Sequence, residues 1–134
     1  MKDCYSSDQI RLNKLSSVIL DSAISVHREM GPGLLESVYQ HCMVNELRSR
    51  GLDIGTMVPV GLYYKGAPLN KDYVIDLVVE NEIILELKAV EGILKIHEAQ
   101  IISYLKLANK HLGFLINFNV PLLKHGFKRY VNGF

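Results

Sequence analysis

The sequence predicts an α/β (α+β) protein, a mixed central β-sheet flanked by helices in the order ααβββαββ. Three observations carry that reading. Two N-terminal stretches place apolar residues at helical spacing, with Gly31-Pro32-Gly33 breaking the chain between them. Three β-prone runs then follow between residues 57 and 90, separated only by turn signals. A further helical stretch leads to two more β-prone runs, and a crossover helix permits the strands on either side of it to pair in parallel.

Each element follows in order. The first helix spans about Leu12 to Met30, with Leu15, Val18, Ile19, Ala23, Val26 and Met30 at helical spacing. The second runs from about Leu34 to Arg50, carries Leu35, Val38, Tyr39, Cys42, Met43 and Leu47, and stops at Gly51. Met57 to Lys65 is the first strand, and Lys65-Gly66 signals a turn. Tyr63 and Tyr64 point to opposite faces of that strand, so one is expected in the core. Lys71 to Val79 is the second strand, broken at Glu80-Asn81, and Glu82 to Val90 is the third. A helix from about Ile93 to Asn109 follows, then a strand from His111 to Val120 ended by Pro121, then a short strand within Gly126 to Val131. Without repeats or linkers, residues 1–134 read as one domain, with residues 1–11 expected as a flexible N-terminal segment.

Composition narrows the class. Apolar residues make up 49% and charged residues 22% of the 134, which excludes intrinsic disorder. Ten Gly and four Pro exclude a collagen-like chain. No apolar run approaches the ~18–20 residues of a membrane span, and the N-terminus has no signal-peptide core, so no membrane partner is expected. Cys4 and Cys42 cannot build a disulfide framework and lack the paired spacing of a metal site. Free thiols in a reducing cytoplasm are the expectation. Residues 1–86 hold eight Lys/Arg against twelve Asp/Glu, whereas residues 87–134 hold seven against two. Such halves either frame a cleft for metal and phosphate or are two solvated surfaces.

The chemistry concentrates between Tyr73 and Val90. Strand alternation puts Glu86 and Lys88 on one face with Ile84, and Ile83, Leu85, Leu87 and Ala89 on the other. Asp76 shares its face with Val74 and Val78. A two-residue loop at Glu80-Asn81 would put Asp76 opposite Leu85, on the wrong face. An odd loop puts it opposite Ile84 or Glu86. The expectation is an odd loop, Val79-Glu80-Asn81, or a bulge with the same effect, because Asn81 tolerates the left-handed conformation. Two carboxylates and a lysine on one face of an apolar hairpin are costly to bury unpaired. One reading is a solvated face in which Lys88 salt-bridges Glu86 or Asp76. The other is a divalent metal site. There Asp76 and Glu86 ligate Mg²⁺ or Mn²⁺, the Leu87 carbonyl adds a backbone oxygen, and Lys88 orients or deprotonates the attacking water.

An Asp followed ten residues later by Glu-x-Lys resembles the core of the PD-(D/E)xK nuclease superfamily, here Asp76…Glu86-Leu87-Lys88. Gln100 and Tyr104, i and i+4 on the next helix, resemble the Gln-x-x-x-Tyr motif of its RecB-like branch. Gly33-Leu34-Leu35-Glu36-Ser37-Val38-Tyr39 matches the motif that names the GxxExxY family, which is assigned to the same superfamily. Glu36 is either a carboxylate complementing the start of a helix capped at Gly33 or a third acid reaching the metal. The resemblance extends from about Ile19 to Val131 and includes Val26 to Gly33, Glu86 to Val90, His97 to Gln100, and Leu115 to Pro121. It implies the superfamily core, with Asp76, Glu86 and Lys88 at the site and Glu36, Gln100 and Tyr104 in support. It also implies a basic residue two before the aspartate, where this chain has Val74, so one phosphate contact is missing.

Other candidates carry less. His97 and His27 are expected as capping or hydrogen-bonded residues, Glu91 as surface charge, and Lys124, His125, Lys128 and Arg129 as a solvated basic segment. The leading function is a metal-dependent nuclease acting on DNA or RNA. The alternatives are a non-catalytic nucleic-acid- or protein-binding module that keeps the fold, and a hydrolase of another phosphate ester. With no binding extension evident, substrate capture calls for a homodimer or a protein partner.

Overall fold

The computed structural model describes residues 6–133. Helix α1 spans Ser7–Met30 and α2 spans Glu36–Ser49. Strands β1 (Ile54–Tyr64), β2 (Ala67–Val79) and β3 (Ile83–Lys88) form a meander. Helix α3 (Lys95–Leu107) then crosses to β4 (Leu112–Asn117), and a short 3-10 turn (Leu123–Gly126) precedes β5 (Phe127–Val131). The sheet order is β1-β2-β3-β4-β5, antiparallel throughout except for the parallel β3–β4 pair across α3. This is the order the sequence predicts, with one extra turn of 3-10 helix. No helix among the described residues is long and apolar enough to cross a membrane.

The sheet is covered on both faces. Leu12, Ile19, Ala23 and Val26 of α1 and Tyr39, Met43 and Leu47 of α2 pack on Leu77, Val79, Ile83, Leu85 and Leu87. Ile101 and Leu105 of α3 pack on Ile75, Val78, Ile84 and Leu115 on the other face. Strand β3 thus sits under helices on both sides, which is why nearly all its residues are buried.

Several boundaries move for local reasons. Residues 7–11, expected as part of a flexible lead-in, are helical, because Ser6 and Gln9 form a capping box: each side chain accepts from the other's backbone N–H at 3.1 Å. Residues 1–5, including Cys4, lie outside the described residues. Helix α2 is not capped by Gly33; its N-cap is Leu35, which gives no side-chain cap, and Glu36 is the first helical residue. Strands β1 and β2 begin earlier than predicted and pair out to Tyr64↔Ala67, well beyond the edge of β3. Neither Tyr63 nor Tyr64 is in the core: they are 67% and 62% exposed, because this part of the ribbon has no layer packed against it.

The β2–β3 loop is odd, as the charged face requires, but it is Glu80-Asn81-Glu82. Glu80 and Asn81 both adopt positive φ, 52° and 56°, and the Glu82 N–H donates to the Val79 carbonyl at 2.9 Å. The pairs Val79↔Ile83, Val78↔Ile84 and Leu77↔Leu85 place Asp76 opposite Glu86.

Simple alternation fails at one step. Leu77 and Val79 face α1 and α2, yet Ile75 joins Val78 on the α3 face. Strand β1 reverses at the same level: Ile54 lies on one side, Val58 and Val60 on the other. Between them Met57, opposite Asp76, has φ 49° and drops out of the ladder. A left-handed residue inside a strand rolls the ribbon over, and Asp76 occupies the level where it rolls.

Candidate functional site

The site lies where β2 and β3 part. Their ladder ends at Leu77↔Leu85. Beyond it, side chains replace backbone pairing: the Asp76 N–H donates to Glu86 Oε1 at 3.2 Å, and the Leu87 N–H donates to Asp76 Oδ2 at 2.9 Å. Asp76 is partly buried, and Glu86 is only 6% exposed. Burial pushes both carboxyls above their ordinary range, and the neighbouring Asp76 charge adds to the rise at Glu86, which reaches about 8.

Lys88, the last residue of β3, makes no salt bridge among the described residues, so the ion pair with Glu86 or Asp76 that the solvated-face alternative calls for does not form there. Its charge still opposes the rise at Asp76, Glu86 and Glu36. Lys88 is held from behind. The Phe118 N–H donates to its carbonyl at 2.9 Å. The buried Asn117 amide donates to the Val90 carbonyl and accepts from the Val90 and Asn119 N–H groups.

Helix α2 brings Glu36 within electrostatic reach of the same groups. Its carboxyl is raised by burial, lowered by Lys88 and raised by Asp76, so it shares one field with both. Tyr39 sets the approach of the helix. Its ring is fully buried and stacks on Phe118 at 4.6 Å, while its hydroxyl donates to the Gly31 carbonyl (2.5 Å) and accepts from the Leu34 N–H (3.1 Å). Gly31 and Gly33 take φ of 72° and 95°, which a side chain would strain. The Gly-x-x-Glu-x-x-Tyr segment is therefore a clamped turn that delivers Glu36.

Helix α3 closes the other side. The Tyr104 hydroxyl is raised by burial and then by the Glu86 charge, and its ring meets Tyr73 edge-on at 5.4 Å. Gln100, one turn earlier, is exposed and makes no hydrogen bond among the described residues. One residue escaped the sequence reading: Gln40, which lines the same groove as Asp76 and whose side chain holds the Asp76 pKa down. Its position four after Glu36, on one helical face, was the available signal.

The lesser candidates resolve structurally. His97 Nδ1 accepts from the Leu94 N–H at 3.0 Å and caps α3, and His27 Nε2 lies 2.7 Å from the Val120 carbonyl. Lys128 pairs with Glu98 at 2.7 Å, and Arg129 donates to Asn13. Glu91 is exposed.

A family model described as the PD-(D/E)XK nuclease superfamily matches residues 13–130. The chain belongs to the PD-(D/E)XK nuclease superfamily. No curated protein and no solved structure matches it. Members of this superfamily generally use divalent metals. Among the described residues, no three His, Cys, Asp or Glu side chains converge as a metal cage. What the superfamily fold assembles here is a buried and a partly buried carboxyl side by side, a third acid within their field, a lysine with no salt bridge among the described residues, and a tyrosine hydroxyl.

Proposed function

We propose that this PD-(D/E)XK chain is a metal-dependent nuclease that hydrolyses phosphodiester bonds of DNA or RNA, with Mg²⁺ or Mn²⁺ as its cation. The observation that carries the reading is the Asp76–Glu86 pair. Burial raises the pKa of both carboxyls, and the Asp76 charge raises that of Glu86 further, so holding both ionised side by side is costly. Joining the strands accounts for one oxygen of each carboxyl, and a divalent cation would offset the cost of keeping both ionised.

The donor set fits this ion. Mg²⁺ commonly takes one or two carboxylates and completes its shell with water and substrate phosphate, so a cage of three acids is not required. Each carboxyl bonds one backbone N–H through one oxygen and has a second. The Leu87 N–H faces Asp76, and an extended residue directs its N–H and C=O to the same side, so the Leu87 carbonyl faces the same gap. When bound, the cation neutralises charge on the scissile phosphate. Lys88, free of any salt bridge, orients the attacking water or takes its proton. Glu36 and Gln100 complete the polar shell. Tyr104 keeps its proton, since its pKa is raised, and donates to a phosphate oxygen. The free Cys42 suits a reducing cytoplasm.

Calorimetric titration of Mn²⁺ into the wild type and Asp76→Ala tests the site. Binding should be lost in the variant, and cleavage of oligonucleotides should follow binding. A wild type that binds no Mn²⁺, even with a non-cleavable oligonucleotide present, sinks the reading.

A further inference from the structure

We propose that the groove between α2 and β1 seats the nucleotide next to the scissile phosphate, with Arg48 as its phosphate contact. The proposal rests on the nuclease reading and extends it to how substrate is held.

The groove has a volume of about 350 Å³ and opens onto Asp76. Its polar lining is Gln40, His41, Asn45 and Arg48 from α2 and Thr56 from β1. Val44 and Met57 supply an apolar wall. Met57 is the residue at φ 49°, so the roll of the β1–β2 ribbon shapes the groove as well as placing Asp76.

Gln40, Val44 and Arg48 follow one another at i, i+4 and i+8, a single stripe along the helix. At 1.5 Å rise per residue, Arg48 lies about 12 Å along the axis from Gln40. Gln40 and Asp76 line the same groove, so the stripe starts beside the reacting centre and ends at a cation. That distance assigns Arg48 to a neighbouring phosphate rather than the scissile one.

Arg48 suits the task. It forms no ion pair among the described residues, while Arg50, two residues on, is bound to Glu46. One Arg48 Nη donates to the Ile54 carbonyl at 3.1 Å, which fixes the head at the β1 end of the groove. A guanidinium has five N–H donors, so others remain for phosphate oxygens. Between the two ends, the Asn45 amide and the His41 ring offer donors and acceptors of the kind that meet base edges and ribose hydroxyls. One cation, polar groups and an apolar wall fit a nucleotide better than a free anion.

Fluorescence anisotropy with labelled, non-cleavable phosphorothioate oligonucleotides in Mn²⁺, across a salt series, is the test. Arg48→Ala should bind several-fold more weakly, and its slope of log affinity against log salt should be shallower by about one. Asn45→Ala should weaken binding with the slope unchanged. Asn45→Arg, at an exposed position, should bind more tightly with a steeper slope, an outcome that misfolding cannot produce. If Arg48→Ala and Asn45→Arg both keep wild-type affinity and slope, the groove assignment is wrong while the nuclease reading stands. A wild type that binds no oligonucleotide overturns both.

Discussion

Asp76 and Glu86 hold the fork between their strands open and together at once. The Glu86 carboxylate accepts from the Asp76 N–H, and the Asp76 carboxylate accepts from the N–H of Leu87, next to Glu86. Both backbone groups would otherwise be orphaned where the ladder stops. The pair therefore joins the strands and, in the proposed function, binds the cation.

In chelator, stability should depend on pH through this pair. Glu86 is raised from 4.5 to about 8 on folding. Its contribution is present in full below about pH 4.5 and is lost as pH rises through about 8, because the folded state holds a proton that the unfolded state has released. The metal-free protein should melt a few degrees higher at pH 6 than at pH 8.5. Glu86→Gln should flatten that difference, and excess Mn²⁺ should reverse it, since ligation displaces the proton. Thermal melts at the two pH values, with and without Mn²⁺, read all three. A metal-free melting temperature that does not fall between them contradicts the prediction.

Lys88→Ala should separate chemistry from metal binding. Lys88 bonds neither carboxyl among the described residues, so removing it leaves the proposed ligands intact. Cleavage should fall about 10²- to 10⁴-fold, the usual worth of a general acid–base group, with Mn²⁺ binding retained. Single-turnover cleavage beside calorimetry decides it; loss of both together would make Lys88 structural.

Tyr39→Phe keeps the ring stack on Phe118 and removes only the hydroxyl clamp on Gly31 and Leu34. The expected loss is about 1–3 kcal/mol in urea unfolding. A drop in activity should accompany it, because the turn that presents Glu36 is loosened. Combining it with Glu36→Gln should give less than the product of the two activity losses; multiplicative losses would show that Tyr39 does not act through Glu36.

Gly126→Ala should be destabilising beyond an ordinary surface change. A Cβ there would collide with the Asn117 carbonyl oxygen, which is backbone and cannot swing aside. Asn117 holds Val90, two residues past Lys88. Urea denaturation should show a loss of about 1–3 kcal/mol, and hydrogen exchange should show faster opening of the Val90 amide. Wild-type protection there would mean that the strain is absorbed elsewhere.

Some of the site was legible because its chemistry is local. Asp76, Glu86 and Lys88 stand out as charges inside Val-, Ile- and Leu-rich runs, and strand alternation relates two of them directly. The odd loop followed from requiring those charges to meet. Arg48 was not legible, and Gln40 was signalled only by its spacing from Glu36. They lie among ordinary polar residues of an amphipathic helix, and only the approach of α2 to β1 puts them on the groove that opens onto Asp76. The Met57 roll was hidden for a similar reason: a methionine carries no signal of left-handed backbone, so alternation was carried through a step where the structure reverses it.

By itself the sequence determined the element order, the burial of β3 and the residue types at the fork, because hydrophobic period, turn chemistry and charge spacing act within a few residues. The tertiary structure decided which way Asp76 faces, that Tyr39 clamps the turn before Glu36, and that a polar groove runs from Asp76 to Arg48. Those relationships depend on how α2 packs on the sheet and on one backbone angle at Met57, and contacts between distant segments leave no periodic trace in the chain.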